Sequence, residues 1–207
     1  MSDALKRGLD VLASIAALFV LSPLLLVLAA WIRMDSHGPA LFRQERVGRR
    51  GTRFSVLKFR TMIDRAPNEI DQHREAVVST NADSRVTRAG RWLRITSLDE
   101  LPQLWNILSG EMSFVGPRPV LPEQVAAIPA EYCVRFNVRP GLTGLAQVRG
   151  RRSLGWLDQL KADAEYVDGR SLPFDLLILL RTVVVVATGR GIYGDESKNW
   201  RAFLERE

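Results

Sequence analysis

Two adjacent carboxylates, Asp99 and Glu100, stand in the stretch "SLDELPQLWNILSGEMSFVGPRP" at residues 97–119. Neighbouring carboxylates repel each other, which tends to separate the pH ranges in which they titrate. A carboxylate that stays ionised can serve as a nucleophile or as a metal ligand, and a partner of higher pKa can transfer a proton. Asp99 and Glu100 are therefore candidate catalytic residues.

The same pair also fits an ordinary helix start. Ser97 followed three residues later by Glu100 has the form of a capping box, in which each side chain satisfies a free backbone N–H group. Asp99 would then lie in the first turn, where the helix dipole favours a negative charge. Apolar residues at helical spacing continue the pattern up to Gly110: Leu98, Leu101, Trp105 and Leu108. The sequence predicts an amphipathic helix. Asp99 and Glu100 can be interpreted either as structural residues at the start of this helix or as catalytic residues, and both interpretations stay open.

Cationic residues cluster around the pair in the sequence: Lys58, Arg60, Arg91, Arg94 and Arg118. Most Lys and Arg side chains are solvated surface charges. Arg118 differs because it stands between prolines in "GPRP", which restricts the backbone on both sides and presents a planar group suited to phosphate. An anionic helix start facing basic residues predicts a divalent metal ion between a protein carboxylate and a substrate phosphate.

The composition limits the class of protein. A chain of 207 residues can bury one core of ordinary size, so one globular domain is expected. The net charge of +6 and the pI near 10.1 favour anionic partners such as nucleic acid, acidic lipid or phosphorylated small molecules. The single cysteine, Cys133, excludes an internal disulfide, and two histidines, His37 and His73, provide no zinc-site spacing. These counts favour a reducing, cytoplasmic environment.

An apolar segment near the N-terminus predicts contact with a membrane. Residues 11–32 contain no charge over 22 positions, and as a helix they would extend roughly 33 Å, enough to cross a bilayer core. Lys6 and Arg7 precede the segment, and five arginines follow it between residues 33 and 50. Because positive flanks mark the cytoplasmic face, both ends are expected on the same side of the membrane.

Three interpretations of this segment compete: a re-entrant helix, a kinked spanning helix and a cleaved signal peptide. Pro23 removes a helix hydrogen bond, and the Ser22 hydroxyl can satisfy a backbone group that the proline frees, so a re-entrant helix would bend here. Proline is also tolerated in spanning helices, which keeps that interpretation open. A signal peptide is disfavoured because the apolar run exceeds the usual ~7–15 residues.

The next segment predicts a β-hairpin. The runs "ALFRQERV" and "RFSVLKF" read as strands joined by a turn in "GRRG". Alternation would place Phe54 and Val56 on one face, with Leu57 and Phe59 on the other. The polar residues 65–85 indicate a loop with one short helix.

A second apolar segment lies near the C-terminus. Residues 174–187 are interrupted by Asp175 and Arg181 and are too short for a comfortable span, so they predict a buried or interfacial helix. Trp156 and Trp200 in the flanking regions are expected to add interfacial contact, with core packing as the alternative.

Three motifs resemble one protein family over nearly the whole chain, from Lys6 to about Thr188. They are "LKFRTM" at 57–62, "LRITSLDELPQLWNILSGEMSFVGPRP" at 93–119 and "RPGLTGLAQVRGR" at 139–151. They look like the bacterial sugar transferases, the monotopic phosphoglycosyl transferases that start glycan assembly on a polyprenol phosphate. The chain is similar to the short, catalytic-core form of that family.

The resemblance implies a fold and a location. The fold is expected to be mixed α/β and helix-rich, with a small β-hairpin and interfacial amphipathic helices. Residues 1–34 would form a re-entrant membrane helix broken at Ser22-Pro23, and residues 35–207 a catalytic domain. This domain would lie at the cytoplasmic face of a bacterial inner membrane, in contact with membrane lipids.

The resemblance also implies a reaction. Asp99 would attack the β-phosphate of a UDP-sugar with Mg²⁺ bound at Asp99, releasing UMP and leaving a phosphosugar on the enzyme. Polyprenol (undecaprenyl) phosphate would then take the phosphosugar. Matching positions in the motifs would contact phosphate or nucleotide: Lys58, Arg94, Arg118 and Arg151. Glu100 is expected to position the metal or Asp99 rather than to act as a base, and the role of Arg149 stays open.

Other function classes are less favoured. A membrane-tethered nucleic-acid binder has only the charge and the run "RQERVGRRGTR" in its favour, without a known binding pattern. A non-catalytic scaffold of a glycan assembly complex is opposed by the intact carboxylate pair. The sequence contains no P-loop and no dinucleotide-binding glycine motif. It does not identify the sugar, and it leaves a homodimer open.

Overall fold

The computed structural model describes residues 2–65, 83–189, 191 and 200–204. Within these residues the protein is a helix-rich mixed α/β structure with two small sheets and one long apolar N-terminal helix. The loop predicted at residues 65–85 falls mostly outside the described residues.

Helix α1, Asp3–Asp35, contains 33 residues and continues through Pro23. The hydroxyl of Ser22 donates to the carbonyl of Phe19 at 2.8 Å. This carbonyl is the one that a backbone N–H at position 23 would have bound, and proline has none. Serine thus compensates for the proline as predicted, while the re-entrant bend itself stays a prediction.

Helix α1 contacts the rest of the protein near both of its ends. It is the one described helix long and apolar enough to cross a membrane. Arg7 near its start donates to the carbonyls of Ile107 and Leu108 at 2.5 and 2.8 Å. Leu28 and Ile32 near its end are buried in a cluster of the same domain. Both ends of the helix therefore contact one globular body.

The predicted hairpin is confirmed. Strands β1, Leu41–Val47, and β2, Arg53–Phe59, pair antiparallel with Leu41 opposite Phe59. Phe54 and Val56 are buried in one cluster, and Phe59 is buried in another. Because side chains alternate along a strand, Lys58 shares the face of Phe54 and Val56.

The predicted capping box at Ser97 is wrong. Helix α2, Arg88–Thr96, ends at Ser97, which adopts a left-handed conformation with φ of 58° and donates its N–H to the carbonyls of Leu93 and Arg94. A short 3₁₀ turn then covers Leu98–Glu100, and helix α3 runs over Gln103–Ser109. Ser97 closes the preceding helix with its backbone, and its side chain caps no N–H group at the following turn.

The predicted helix does end at Gly110, but its buried face differs from the predicted one. Leu104 and Ile107 are buried, whereas Trp105 is 59% exposed. The start at Gln103 rather than at Ser97 changes the register of the helix. Asn106, which the apolar pattern did not include, is buried and bonds the edge of β2 through Leu57 N and Ser55 O.

The second half of the chain packs around a short parallel pair, β3 at Ser113–Val115 and β4 at Gly141–Thr143. Four helices follow: α4 at Leu145–Arg149, α5 at Trp156–Gly169, α6 at Leu172–Thr188 and α7 at Trp200–Leu204. Tyr166 on α5 donates to Val115 O and to Asp175 on α6. These contacts join the sheet to both long helices of this half.

Helix α6 confirms a helix at the second apolar segment, and it exposes much of its apolar surface: Leu176, Leu180, Val183 and Val184 are 58–68% exposed. The interfacial contact predicted for Trp156 is wrong, because Trp156 is buried in the core and donates its indole N–H to Ala127 O. Trp200 is half-buried against the same cluster, and its interfacial contact stays a prediction.

Candidate active site

A cavity of about 360 Å³ lies between the turn that follows α2 and the helices α4, α5 and α6. Its wall includes Asp99 and Glu100 from the 3₁₀ turn and Arg118 from the "GPRP" segment. The volume is in the range of small-molecule sites. The carboxylate pair thus stands at a cavity and not on an open surface.

Glu100 is held by two cations at a single oxygen. Its Oε1 accepts from Lys58 Nζ at 3.1 Å and from Arg118 NH2 at 2.7 Å. Burial would raise the pKa of Glu100, but the charges of Arg118 and Lys58 outweigh burial and keep that pKa well below its usual range. Glu100 is therefore ionised at neutral pH and does not provide a proton-accepting base of ordinary strength.

Asp99 is the second carboxylate of the site. It lines the cavity and interacts electrostatically with Lys58, Arg118 and Arg151. A carboxylate at the edge of a cavity, beside three cations, has the access that a nucleophile needs.

Arg94 and Arg151 also line the cavity. Arg94 is positioned by α2, and Arg151 follows α4 with a left-handed φ of 54°. Arg151 donates to Ser97 Oγ at 2.6 Å, and its buried NH1 atom forms no hydrogen bond in the described part of the chain. The hydroxyl of Ser97 therefore fixes an arginine of the cavity.

The structure brings together the residues named from the sequence as catalytic or substrate-binding. Asp99, Glu100, Arg94, Arg118 and Arg151 line one cavity, and Lys58 reaches it through its bond to Glu100.

Three other arginines considered from the sequence lie elsewhere. Arg60 is buried and donates to the carbonyls of Ser36, Gly38 and Pro39, where it ties the end of α1 to the chain after β2. Arg91 is exposed. Arg149 forms two bonds to Glu165 at 2.5 and 2.6 Å on the surface, and it does not line the cavity.

Sequence reasoning missed a second polar group in the wall, formed by Arg135, Gln147 and Asp163. Arg135 and Asp163 form a buried ion pair at 2.9 Å, and Arg135 also donates to the backbone carbonyl of Arg118 at 2.6 Å. Burial raises the pKa of Asp163 to about 6, against the opposing charges of Arg135 and Arg118. No local pattern marks this group because its members are 12 to 28 positions apart.

The carboxylates of the site suit a Mg²⁺ ion that is also bound by substrate phosphate. The described residues contain no group of three or more His, Cys, Asp or Glu side chains that could enclose a metal. Mg²⁺ commonly binds through one or two carboxylates together with substrate phosphates and waters. Asp99 beside Glu100 at the cavity wall suits such a shared site.

Comparison with known proteins decides the family. The family model described as bacterial sugar transferase matches residues 1–189. The chain belongs to this family. The expectation from the three sequence motifs is thereby confirmed.

Named relatives in the family include a UDP-glucose:undecaprenyl-phosphate glucose-1-phosphate transferase of Caulobacter vibrioides. It is 45% identical over 92% of this chain and 73% of its own length. The exopolysaccharide production protein ExoY of Rhizobium meliloti is 39% identical over 91% of this chain and 88% of its own. An undecaprenyl-phosphate glucose phosphotransferase of Komagataeibacter xylinus is 42% identical over 86% of this chain but only 35% of its own length.

Proposed function

We propose that the protein transfers a sugar 1-phosphate from a UDP-sugar to polyprenol phosphate, undecaprenyl phosphate in bacteria, as the first membrane step of exopolysaccharide or related glycan assembly. The observation that carries the proposal is a carboxylate, Asp99, at a cavity lined by Arg94, Arg118 and Arg151. Family membership and the names of the relatives support this reaction class.

In the first step a carboxylate oxygen of Asp99 attacks the β-phosphorus of the UDP-sugar. The bond from that phosphorus to the bridging oxygen breaks, UMP leaves, and the phosphosugar remains bound to Asp99 as an acyl phosphate. Attack by an anion on an anion requires that the phosphate charge be neutralised. The neutralising positive charge comes from Arg94, Arg118 and Arg151 at the cavity. Lys58 adds a further positive charge at Glu100, to which it is bonded.

In the second step an oxygen of polyprenol phosphate attacks the same phosphorus. The bond to Asp99 breaks, polyprenyl-diphospho-sugar forms, and the Asp99 carboxylate is regenerated. A phosphomonoester with a second pKa near 6 is mostly a dianion at neutral pH, so this step needs no strong base. Glu100, held ionised by two cations, serves to position Lys58 and Arg118.

A divalent cation belongs to the proposal. Asp99, with Glu100 adjacent, would hold Mg²⁺ together with the diphosphate of the donor. When bound, Mg²⁺ would neutralise charge that develops on the phosphate oxygens and the departing UMP.

The exposed apolar faces of α1 and α6 support a location at the cytoplasmic face of the inner membrane. Phe19 and Leu26 on α1, and Leu180 and Val183 on α6, are among the most exposed apolar side chains. Leu179, Val185 and Val186 on α6 also line the cavity. Helix α6 would thus separate lipid from the site and offer apolar contacts to a prenyl chain, while the nucleotide sugar arrives from the cytoplasm.

The decisive experiment is UMP release by the purified protein in detergent with a UDP-sugar, Mg²⁺ and undecaprenyl phosphate. We expect Asp99→Asn to abolish release, because the amide is not a nucleophile, and to leave the melting midpoint near that of the wild type. Asp158→Asn is the matched control, since Asp158 is an exposed acid on α5. Turnover by Asp99→Asn would disprove the nucleophile, and an inactive wild type would favour the scaffold.

A further inference from the structure

The lining of the cavity contains two polar groups of different charge. The first, around Asp99 and Glu100, has a surplus of cations, as expected where phosphates bind. The second consists of Arg135, Asp163 and Gln147. Its one cation and one anion form an ion pair, and its third member is a neutral amide. The second group thus presents polar atoms with little net charge.

The atoms of this second group are buried and lack partners. Gln147, Asp163 and Arg135 are only 8, 2 and 5% exposed. Both amide atoms of Gln147, Oδ1 of Asp163 and NH1 of Arg135 form no hydrogen bond within the described residues. Buried polar atoms are rarely left without a partner because the desolvation is not repaid. The four atoms belong to three residues that line one cavity, and a ligand that both donates and accepts hydrogen bonds would satisfy them.

The chemistry of these atoms matches a sugar ring. Gln147 offers one donor group and one acceptor, Asp163 offers an acceptor and Arg135 a donor. Each hydroxyl of a sugar can both donate and accept, so a polyhydroxyl ring can satisfy all of them. A phosphate, which only accepts, would leave the free oxygens of Gln147 and Asp163 unsatisfied.

The position of the group also favours the sugar over the uracil. Arg135 donates to the backbone carbonyl of Arg118, whose guanidinium binds Glu100, so the two groups meet at Arg118. In a UDP-sugar the sugar is joined to the reacting β-phosphate by a single ester oxygen. The uracil is separated from that phosphate by the α-phosphate and the ribose. The group next to the reacting phosphate is therefore the sugar.

We propose that Gln147, Asp163 and Arg135 form the subsite for the transferred sugar, and that Gln147 discriminates between donor sugars. Arg135 and Asp163 also support each other and the Arg118 backbone, so their loss would disturb the phosphate site. The amide of Gln147 forms no hydrogen bond within the described residues, which makes it available for recognition. The inference rests on the proposed function, because it takes a UDP-sugar as the ligand.

The test measures kcat/KM for UMP release from UDP-glucose, UDP-galactose and UDP-N-acetylglucosamine with the full chain in detergent. We expect Gln147→Ala to lower kcat/KM for the preferred sugar about 10-fold or more, and to reduce the preference over the other two by a similar factor. Gln159→Ala is the control, because Gln159 lines the same cavity but already donates to Leu154 O. It should keep the wild-type order of sugars.

Three outcomes would overturn the subsite. One is an equal loss on all three sugars, with their ratios unchanged. Another is a changed order of kcat/KM among UDP-, TDP- and CDP-glucose while the order among the three UDP-sugars stays the same. That result would show that Gln147 recognises the nucleotide base. The third is unchanged kcat/KM in every case. If Gln147→Ala fails to show a wild-type melting transition, the same kcat/KM values are compared between the wild type and Gln147→Glu, which preserves the size of the side chain.

Calorimetric titration with the same UDP-sugars, compared with UDP alone, separates this inference from the proposed reaction. If the wild type releases no UMP, the reaction is wrong and the binding data decide the subsite. A sugar-dependent loss of affinity in Gln147→Ala would then support it, and equal affinities of the two proteins for every ligand would overturn it. Turnover with unaltered sugar preference in Gln147→Ala would leave the reaction standing and remove the subsite.

Discussion

At Glu100, two cations share a single carboxylate oxygen, with Lys58 at 3.1 Å and Arg118 at 2.7 Å. Such an arrangement fixes the positions of both cations at the rim of the cavity. It also makes Glu100 a poor proton acceptor near neutral pH. In the proposed reaction the adjacent carboxylates would divide the work between them, with Asp99 as the nucleophile and Glu100 holding the two cations in place.

Lys58 should give the enzyme an alkaline limit. Burial lowers the pKa of Lys58 to about 8, although Glu100 acts in the opposite direction. We expect kcat/KM for the donor to fall as the pH rises through about 8, because the neutral amine no longer supports phosphate binding. In Lys58→Arg the limit should move to higher pH, since a guanidinium stays charged. The measurement is the pH dependence of kcat/KM, which reports the free enzyme.

The stability of the fold provides an independent check on that pH profile. Between about pH 8 and the ordinary lysine pKa of 10.5, the unfolded chain binds more protons at Lys58 than the folded one. Stability from this group therefore rises with pH in that window. Loss of activity without loss of stability supports titration of Lys58. An identical alkaline limit in Lys58→Arg would rule it out.

At the scale of elements, α2 and α3 are held at fixed distances from β2 by close polar and backbone contacts. Asn106 on α3 bonds the edge of β2 at Leu57 N and Ser55 O. Gly90 on α2 approaches the chain after β2 so closely that a Cβ there would lie 2.0 Å from Thr61 O. The turn that carries Asp99 and Glu100 connects these two helices, so their positions determine where the turn lies.

Gly90→Ala should destabilise the protein, against helix propensity. Alanine is favoured over glycine in a helix by about 1 kcal/mol. At Gly90 the collision with backbone outweighs that gain, and we expect a net loss of about 1–3 kcal/mol. Gly8→Ala on α1 is the matched control, because nothing lies within 4 Å of a Cβ at Gly8.

The measurement for this pair is the midpoint of thermal unfolding in one detergent. Gly8→Ala should melt at or above the wild-type midpoint and Gly90→Ala below it. Equal midpoints for the two variants would mean that the approach of α2 to Thr61 is not tight. Because α2 carries Arg94, we also expect UMP release to fall in Gly90→Ala but not in Gly8→Ala.

At the scale of the whole molecule, α1 is joined to the rest of the protein near both of its ends. Asp3 forms ion pairs with Arg49 at 2.8 Å and with Arg170 at 2.9 Å. At the other end, Asp35 accepts from the backbone N–H of Ala89 at 2.9 Å. A helix that crossed the bilayer would place one of these ends away from the domain that it contacts. We therefore expect both ends to stay on one side of the membrane.

Cysteine accessibility tests this topology. In a Cys133→Ser background, which removes the single native cysteine, Ser2→Cys and Arg49→Cys are introduced separately. We expect an impermeant thiol reagent to label both positions in inside-out vesicles and neither in intact spheroplasts, because Asp3 and Arg49 are paired. Opposite labelling of the two positions would establish a spanning helix.

Much of the local structure could be predicted from the sequence. Alternation within residues 41–59 predicted the hairpin, the apolar run predicted α6, and the Ser22-Pro23 pair predicted a compensated helix. Each of these depends on neighbours within a few positions, where propensity and hydrogen bonding act directly. The motif that contains Asp99, Glu100 and Arg118 likewise lies in one continuous stretch.

Other features were decided by contacts between distant parts of the chain. Ser97 was predicted as a helix cap from its spacing to Glu100, yet its hydroxyl binds Arg151, 54 positions away. Trp156 was predicted at a membrane interface, but its indole N–H donates to Ala127 O in the core. A side chain takes whichever partner the assembled fold presents, and spacing in the sequence does not reveal that partner.

The sequence by itself determined the family, the carboxylate pair and the apolar segments, because each can be recognised from residues that are consecutive in the chain. Only the tertiary structure decided that Glu100 is bound by Lys58 and Arg118, and that Arg135, Asp163 and Gln147 complete the cavity. The physical reason is burial. Partners far apart in the chain become one electrostatic and hydrogen-bonding unit only when folding removes them from water and brings them together.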